Sequence, residues 1–228
     1  MELIPESLEA LTRLSATEGD LIADLRQAAA QVVDIVPECV ALSIAHFEAD
    51  VTFTLVATSD EFRILDAAQY LAGGPCETAA AEGEVVEVRD VLNEDRWQLF
   101  ALAGAITGVR SSLSLPLRRG ESVYGSVNFY ASSDDAFKGR ERDLALMFGA
   151  AVEEAVTNAD LSMSSVGLAR QAVVTLDERD QVNEAVGVLA DRHGMTIDEA
   201  HASLLDAAER AGVSPTALAQ LVLRQRVI

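Results

Sequence analysis

Few residues in this chain carry side chains whose chemistry suggests a use. They are two cysteines, three histidines, one tryptophan and a set of arginines near the C-terminal end. Cys76 follows Gly73-Gly74-Pro75 at the expected start of a helix, a place where a thiolate is stabilised and becomes reactive. A ligand-contacting or redox thiol and a buried small apolar residue both fit that position. Cys39, two residues after Pro37 and beside a strand, reads as buried. Two lone cysteines predict reduced thiols, with neither a disulfide framework nor a zinc cluster. His193 and His201 lie eight residues apart across Gly194 with Asp198 between them, and no cysteine joins them, so no metal site is expected. Trp97 and Phe100 fall in a loose stretch between strands, where they either line a small-molecule pocket or pack as a lid on a sheet. There is no Gly-x-Ser-x-Gly elbow, P-loop, Gly-x-Gly-x-x-Gly after a strand, or His-Glu-x-x-His. The chain is therefore expected not to be an enzyme and to need no cofactor.

Charge divides the chain unevenly. The formal net charge is -20 over 228 residues. Residues 1–165 hold 11 Lys and Arg against 28 Asp and Glu, whereas residues 166–228 hold 6 against 9. The front part repels nucleic acid at long range, while the tail is close to neutral. No apolar stretch is long enough to cross a bilayer, and the opening MELIPESLEALTRL is acidic and amphipathic, unlike a signal peptide. A cytoplasmic protein without membrane contact is expected.

The elements that must position these residues follow from periodicity. Leu21, Ile22, Leu25, Ala28, Ala29, Val32 and Val33 recur at helical spacing in a segment from about Leu8 to Val36 that Pro37 stops. Val40–Phe47 and Val51–Thr58 read as a hairpin across Glu48-Ala49-Asp50. Short helices are expected at Phe62–Leu71 and Cys76–Ala81, and a strand at Val85–Val88. In SSLSLPL, Leu113, Leu115 and Leu117 alternate with Ser112, Ser114 and Pro116, which predicts a strand with one buried face. VYGSVNFY follows across the polar link RRGES. From Lys138 onward the pattern is helical: Leu144, Phe148, Ala151, Ala155 and Ala159 form one stripe, and helical spacing resumes at Leu168, Ala172 and Leu176, as one long helix into the tail would give. Such a stripe packs on its own sheet or pairs with its twin in a dimer. The last fifty residues predict three helices: Leu176 to His193, a second opened by the capping box Thr196-Ile197-Asp198-Glu199, and a third opened by Ser214-Pro215.

Two resemblances attach to these patterns. The helix–strand–strand entry, the Gly73-Gly74-Pro75-Cys76 turn, and SSLSLPL with YGSVNFY resemble a GAF domain over roughly residues 15–160. Segments RDQVNEAVGVLADRHGMT, DEAHASLLDAA and SPTALAQLVL resemble an ANTAR domain, an RNA-binding module of bacterial antiterminators, over roughly 166–228. Arg179, Val182, Ala185, Gly187, Val188 and Leu189 match its pattern, as do Gly194, Glu199, Ala200, Ala208 and Ala219. Four positions depart from it. Val186 stands where the family has a lysine, Glu184 where it has an amide, Ala190 for a methionine, and His201 for an aromatic. Losing a cation and gaining an acid both weaken contact with phosphates.

The resemblance implies an α+β architecture with two parts. Residues 1–165 would form a GAF-like sensor with an antiparallel sheet, flanking helices and a linker helix. Residues 166–228 would form an ANTAR-like three-helix unit reached through a long helix. It further implies a homodimer paired through the long helices, transmitting an unidentified small-molecule or protein signal to tails that bind RNA stem-loops and prevent transcription termination. Arg170, Arg179 and Arg192 would then meet phosphates or loop bases, with Gln181, Asn183 and His193 as polar readers. The other reading of that face is a solvated helix neutralised by Asp177, Glu178, Asp180 and Asp191. Cys76, Trp97 and Phe100 are the candidate ligand-contacting residues of the sensor. The alternative function is a regulator whose tail acts through protein contacts without RNA.

Overall fold

The computed structural model describes residues 30–48, 51–59, 61–119, 122–148 and 176–225. A short helix, α1 (30–35), ends before Pro37, and the residues of the long expected helix that precede it lie outside the described ones. Five strands then build one antiparallel sheet in the order β2-β1-β5-β4-β3. They are β1 (Cys39–Glu48), β2 (Val51–Ala57), β3 (Val86–Val88), β4 (Ser111–Arg119) and β5 (Ser122–Ala131). The two expected hairpins are present, with Ile44 opposite Val56 and Leu115 opposite Val127. Gly125 lets β5 come close to β1, since a Cβ there would stand 2.3 Å from the Ala45 carbonyl oxygen.

Two layers of helices cover the sheet. Against one face lie Phe137 and the helix α5 (141–148), whose Leu144 and Phe148 are buried. The Phe148 ring meets Phe129 edge-on at 5.3 Å. The first turns of the expected dimer stripe thus pack on their own sheet, while Leu146 remains 67% exposed. The continuation beyond residue 148, including the possible run into the tail, lies outside the described residues.

Over the other face sit α2 (Arg63–Ala72) and α3 (Pro75–Glu82). Here one expectation needs correction. The serines that alternate with Leu113, Leu115 and Leu117 are not solvent-facing: Ser112 and Ser114 are buried, as are Ser126 and Asn128 on the neighbouring β5. A period of two shows that a strand has two unlike faces; it does not say that the polar one is wet. The stretch around Trp97 is likewise more ordered than expected, since Gln98–Thr107 forms a helix, α4. Its sequence QLFALAGAIT is apolar nearly all round, which hides a helical stripe. Gly104 lets it approach the 3-10 turn Val91–Asn93, because a Cβ there would lie 2.4 Å from Val91 Cγ1.

The tail forms three helices: α6 (Leu176–His193), α7 (Ile197–Ala211) and α8 (Pro215–Arg224). The capping box is complete, with Thr196 and Glu199 exchanging side-chain-to-backbone bonds. Gly194 and Gly212 take the left-handed conformation that closes α6 and α7 (φ +65° and +67°). Ser214 caps α8 through the Ala217 N–H. Ala185, Leu204, Ala207, Ala208, Leu218 and Val222 are buried and share one apolar core with Leu65 and Tyr70 of α2. The tail therefore rests on the first part of the chain, α7 and α8 against α2, with α8 also touching α4.

Candidate functional site

A polar cluster is sealed between the serine-bearing face of the sheet and α2–α3. At its centre Asp66 of α2 is fully buried. Its Oδ1 accepts from the Tyr130 hydroxyl at 2.6 Å and the Ser43 hydroxyl at 3.0 Å, and its Oδ2 accepts from the Thr54 hydroxyl at 2.9 Å. Because the Thr54 proton is spent on Asp66, the Tyr70 hydroxyl 2.9 Å away is the donor of that pair. Burial pushes the Asp66 carboxyl above its ordinary value, against the opposing pull of these three hydroxyls and of Arg63. Burial also lifts the phenols of Tyr70 and Tyr130 well above theirs. The arrangement is a concentrated set of acceptors and hydroxyls held out of water, with both Asp66 oxygens bonded to hydroxyls of the protein.

Cys76 belongs to this cluster. Its sulfur lies 3.1 Å from Ser126 Oγ and accepts from Asn128 Nδ2 at 3.2 Å; that amide also donates to Ser43 Oγ. Two buried atoms of the same face, Asn128 Oδ1 and Ser112 Oγ, have no hydrogen-bond partner among the described residues. The Gly-Gly-Pro turn exists to place Cys76. Gln69 folds over Gly74, where a Cβ would stand 2.2 Å from Gln69 Cγ, and its Oε1 accepts from the Cys76 N–H at 2.7 Å. The thiol is fully buried, and burial pushes its pKa up to about 12. That opposes the reactive thiolate considered from sequence: the helix start is there, but desolvation outweighs it. Cys39 is pushed up to about 12 for the same reason.

Phe100 belongs to the same buried core as Cys76, Tyr70 and Tyr130, and Trp97 packs against that core. Phe100 is buried in α4, which packs on α2 and the 3-10 turn, and Trp97 is half-buried at the start of α4 beside Gly73 with the Arg96 guanidinium 4.2 Å from its ring. Sequence reasoning missed Asp66, Thr54, Ser43, Asn128 and Tyr130. The available signal was the density of polar residues in strands whose neighbours leave no room for a solvated face.

On the tail, a pocket of about 310 Å3 opens between α6, α7 and the start of α8. Arg179, Asn183, His201, Leu205, Pro215 and Thr216 line it. Arg179 and Asn183 lie one turn apart on α6, and both are exposed. The other sequence candidates sit elsewhere. Gln181 accepts from Gln220 of α8 at 2.9 Å, so it braces the bundle. Arg192 bonds Gln225, and with His193 occupies the exposed last turn of α6, roughly 20 Å from Arg179 along the helix. Arg170 lies outside the described residues. His201, which the sequence offers as a replaced aromatic and as a rejected metal ligand, lines the pocket with Arg179.

Family models match the chain twice: a GAF domain over residues 18–157 and an ANTAR domain over residues 170–223. The chain belongs to the GAF domain family and carries an ANTAR domain behind it. Solved structures similar to the GAF domain include the GAF domain/HD domain protein from Geobacter sulfurreducens (12% identity, 64% of this chain and 96% of that one, TM-score 0.47). Others are the reduced form of fRMsr of Staphylococcus aureus (15%, 68% and 99%, TM-score 0.44) and the type II free methionine-R-sulfoxide reductase of Thermoplasma acidophilum (13%, 65% and 96%, TM-score 0.43). No curated protein matches the chain. Among the described residues, no helix is long and apolar enough to cross a membrane.

The departures within the ANTAR domain now have places. Val186, where the family has lysine, is 2% exposed and buried in the bundle core. The valine adds packing there and is not a gap in an exposed basic face. Glu184 is exposed beside Asn183 and sets an acid next to the Arg179 pocket. Ala185 is buried, as a helix contact should be, but a Cβ on Gly187 would meet nothing within 4 Å, so Gly187 is no close-approach point.

Proposed function

We propose that this GAF–ANTAR protein is a cytoplasmic, non-enzymatic regulator whose tail binds stem-loop RNA and acts in transcription antitermination under the control of its GAF domain. The observation that carries the reading is the exposed pocket that gathers Arg179, Asn183 and His201 on an ANTAR domain. A guanidinium, an amide and an imidazole around an apolar floor of Leu205 and Pro215 suit an unstacked loop base with its phosphate. Arg192 and His193 at the far end of α6 would meet the backbone of the stem. The polar cluster around Asp66 supports a small-molecule signal at the GAF domain, because it concentrates donors and acceptors in a dry site and leaves Asn128 Oδ1 unbonded. A homodimer is part of this reading because the resemblance implies one, and Leu146, exposed on α5, is the surface residue at which to test it.

The test is a mobility-shift titration of the full chain with paired stem-loop RNAs at two salt concentrations. The proposal expects saturable binding that weakens as salt rises. Arg179→Ala should weaken it about tenfold or more, with a salt slope reduced by about one. Glu184 and Asp180, both exposed on α6, favour a second reading in which the tail meets a protein. Absence of saturable binding at either salt concentration would move the function there.

A further inference from the structure

Two arginines fasten the ANTAR domain to the GAF domain, each reaching across the seam from the opposite side. Arg210, in the last turn of α7, donates through one terminal nitrogen to the Tyr70 carbonyl at 2.9 Å. The other terminal nitrogen donates to the Thr52 carbonyl at 3.1 Å and to Glu77 at 3.4 Å. Its guanidinium carbon stands 4.8 Å from the centre of the Tyr70 ring. Arg63, at the first position of α2, donates back to the carbonyl of Ala211, the last residue of α7, at 3.3 Å. Each helix end, rich in unpaired carbonyls, thus receives a cation from the other domain.

The Arg210 side chain is only 11% exposed. A guanidinium taken out of water destabilises a contact unless its N–H groups are satisfied. Its two terminal nitrogens are satisfied by three elements of the GAF domain, β2, α2 and α3, in a fork that lysine does not reproduce. Its Nε makes no hydrogen bond and pairs by charge with Asp206 of its own helix at 2.8 Å. The seam is therefore specific and not merely apolar. It also leaves the Arg179–Asn183 face of α6 exposed. Docking sets where that face points without covering it.

The ring under Arg210 leads inward. The Tyr70 hydroxyl donates to Thr54, and Thr54 donates to the buried carboxylate of Asp66. We infer that Arg210 is the residue through which the tail reads the interior of the GAF domain. A change of occupancy or charge at Asp66 shifts Thr54 and Tyr70, and the hold of Arg210 on α2 changes with them. This rests on the regulator reading for its purpose, but its test involves no RNA, so either idea can fail alone.

The experiment is hydrogen–deuterium exchange of the full chain, following peptides from α7 and α8, with β5 peptides reporting whether the GAF domain stays folded. Arg210→Gln is expected to speed exchange in α7 and α8 about tenfold or more while β5 is unchanged. Tyr70→Phe keeps the ring and removes only the hydroxyl; it should speed the same peptides about threefold. Asp66→Asn should do likewise, and if it unfolds β5 the Tyr70→Phe result decides alone. Wild-type exchange in Arg210→Gln would overturn the clasp. Fast α7 and α8 exchange in Arg210→Gln, with wild-type exchange in Tyr70→Phe, would overturn the connection to the interior.

Discussion

A carboxyl group shut away from water keeps or sheds its proton according to the few neighbours it has. Asp66 has three hydroxyls at 2.6 to 3.0 Å, and burial is the larger influence, so its pKa stands above the ordinary carboxylate value. The folded state then holds this proton more tightly than the unfolded chain. The contribution of Asp66 to stability is greatest below the unfolded value and is lost as pH rises through the folded one. Asp66→Asn should flatten this part of the profile, which urea titrations between pH 4 and 8 would show; a slope equal to that of the unsubstituted chain would remove Asp66 as its source. The thiols make a second prediction at this scale. With both pKa values pushed up to about 12, Cys39 and Cys76 should react with a disulfide reagent at pH 8 at least about a hundredfold more slowly than in urea. Labelling of the native chain at the unfolded rate would show that burial does not protect them. Of the candidates drawn from sequence, Cys76 lies in the polar cluster and Arg179 and Asn183 share a pocket. Asp66 gave no sign in the sequence, because one acid in a chain with 37 acidic residues stands out only when its surroundings are dry.

At the scale of elements, strands and caps were the legible part. The two hairpins, the Thr196–Glu199 box and the Ser214-Pro215 start are local signals, set by residues a few positions apart. The serine face of β4 and the helix α4 were not legible, since both depend on what packs above them: α2 and α3 over the serines, and Val91 against Gly104. Two substitutions test the elements. Thr196→Ala removes the reciprocal cap of α7 and should lower stability by about 1 kcal/mol in chemical denaturation. Gly125→Ala drives a methyl toward the Ala45 carbonyl at the centre of the sheet and should cost about 1–3 kcal/mol. A neutral Gly125→Ala would mean that β1 and β5 separate without loss.

For the whole molecule, charge and contact run in different directions. The acidic excess belongs to residues 1–165, and the nearly neutral tail rests against that part through α7 and α8, leaving α6 outward. The division into two parts was visible in composition and in the loss of strand pattern after Lys138. Their mutual seam was not, because Arg63 and Ala211 are 148 positions apart and no local pattern joins them. Sedimentation of the full chain is expected to give a dimer, and Leu146→Glu, which places a charge on the exposed side of α5, should shift it toward monomer. The function depends most directly on where RNA touches the chain. Photo-crosslinking of the full protein to a stem-loop RNA carrying 4-thiouridine in its loop, followed by peptide mapping, reads that contact. Crosslinks are expected in the peptides holding Arg179–Asn183 and His201, lost on competition with unlabelled stem-loop. Crosslinks confined to the GAF domain, or none above a scrambled RNA, would contradict it.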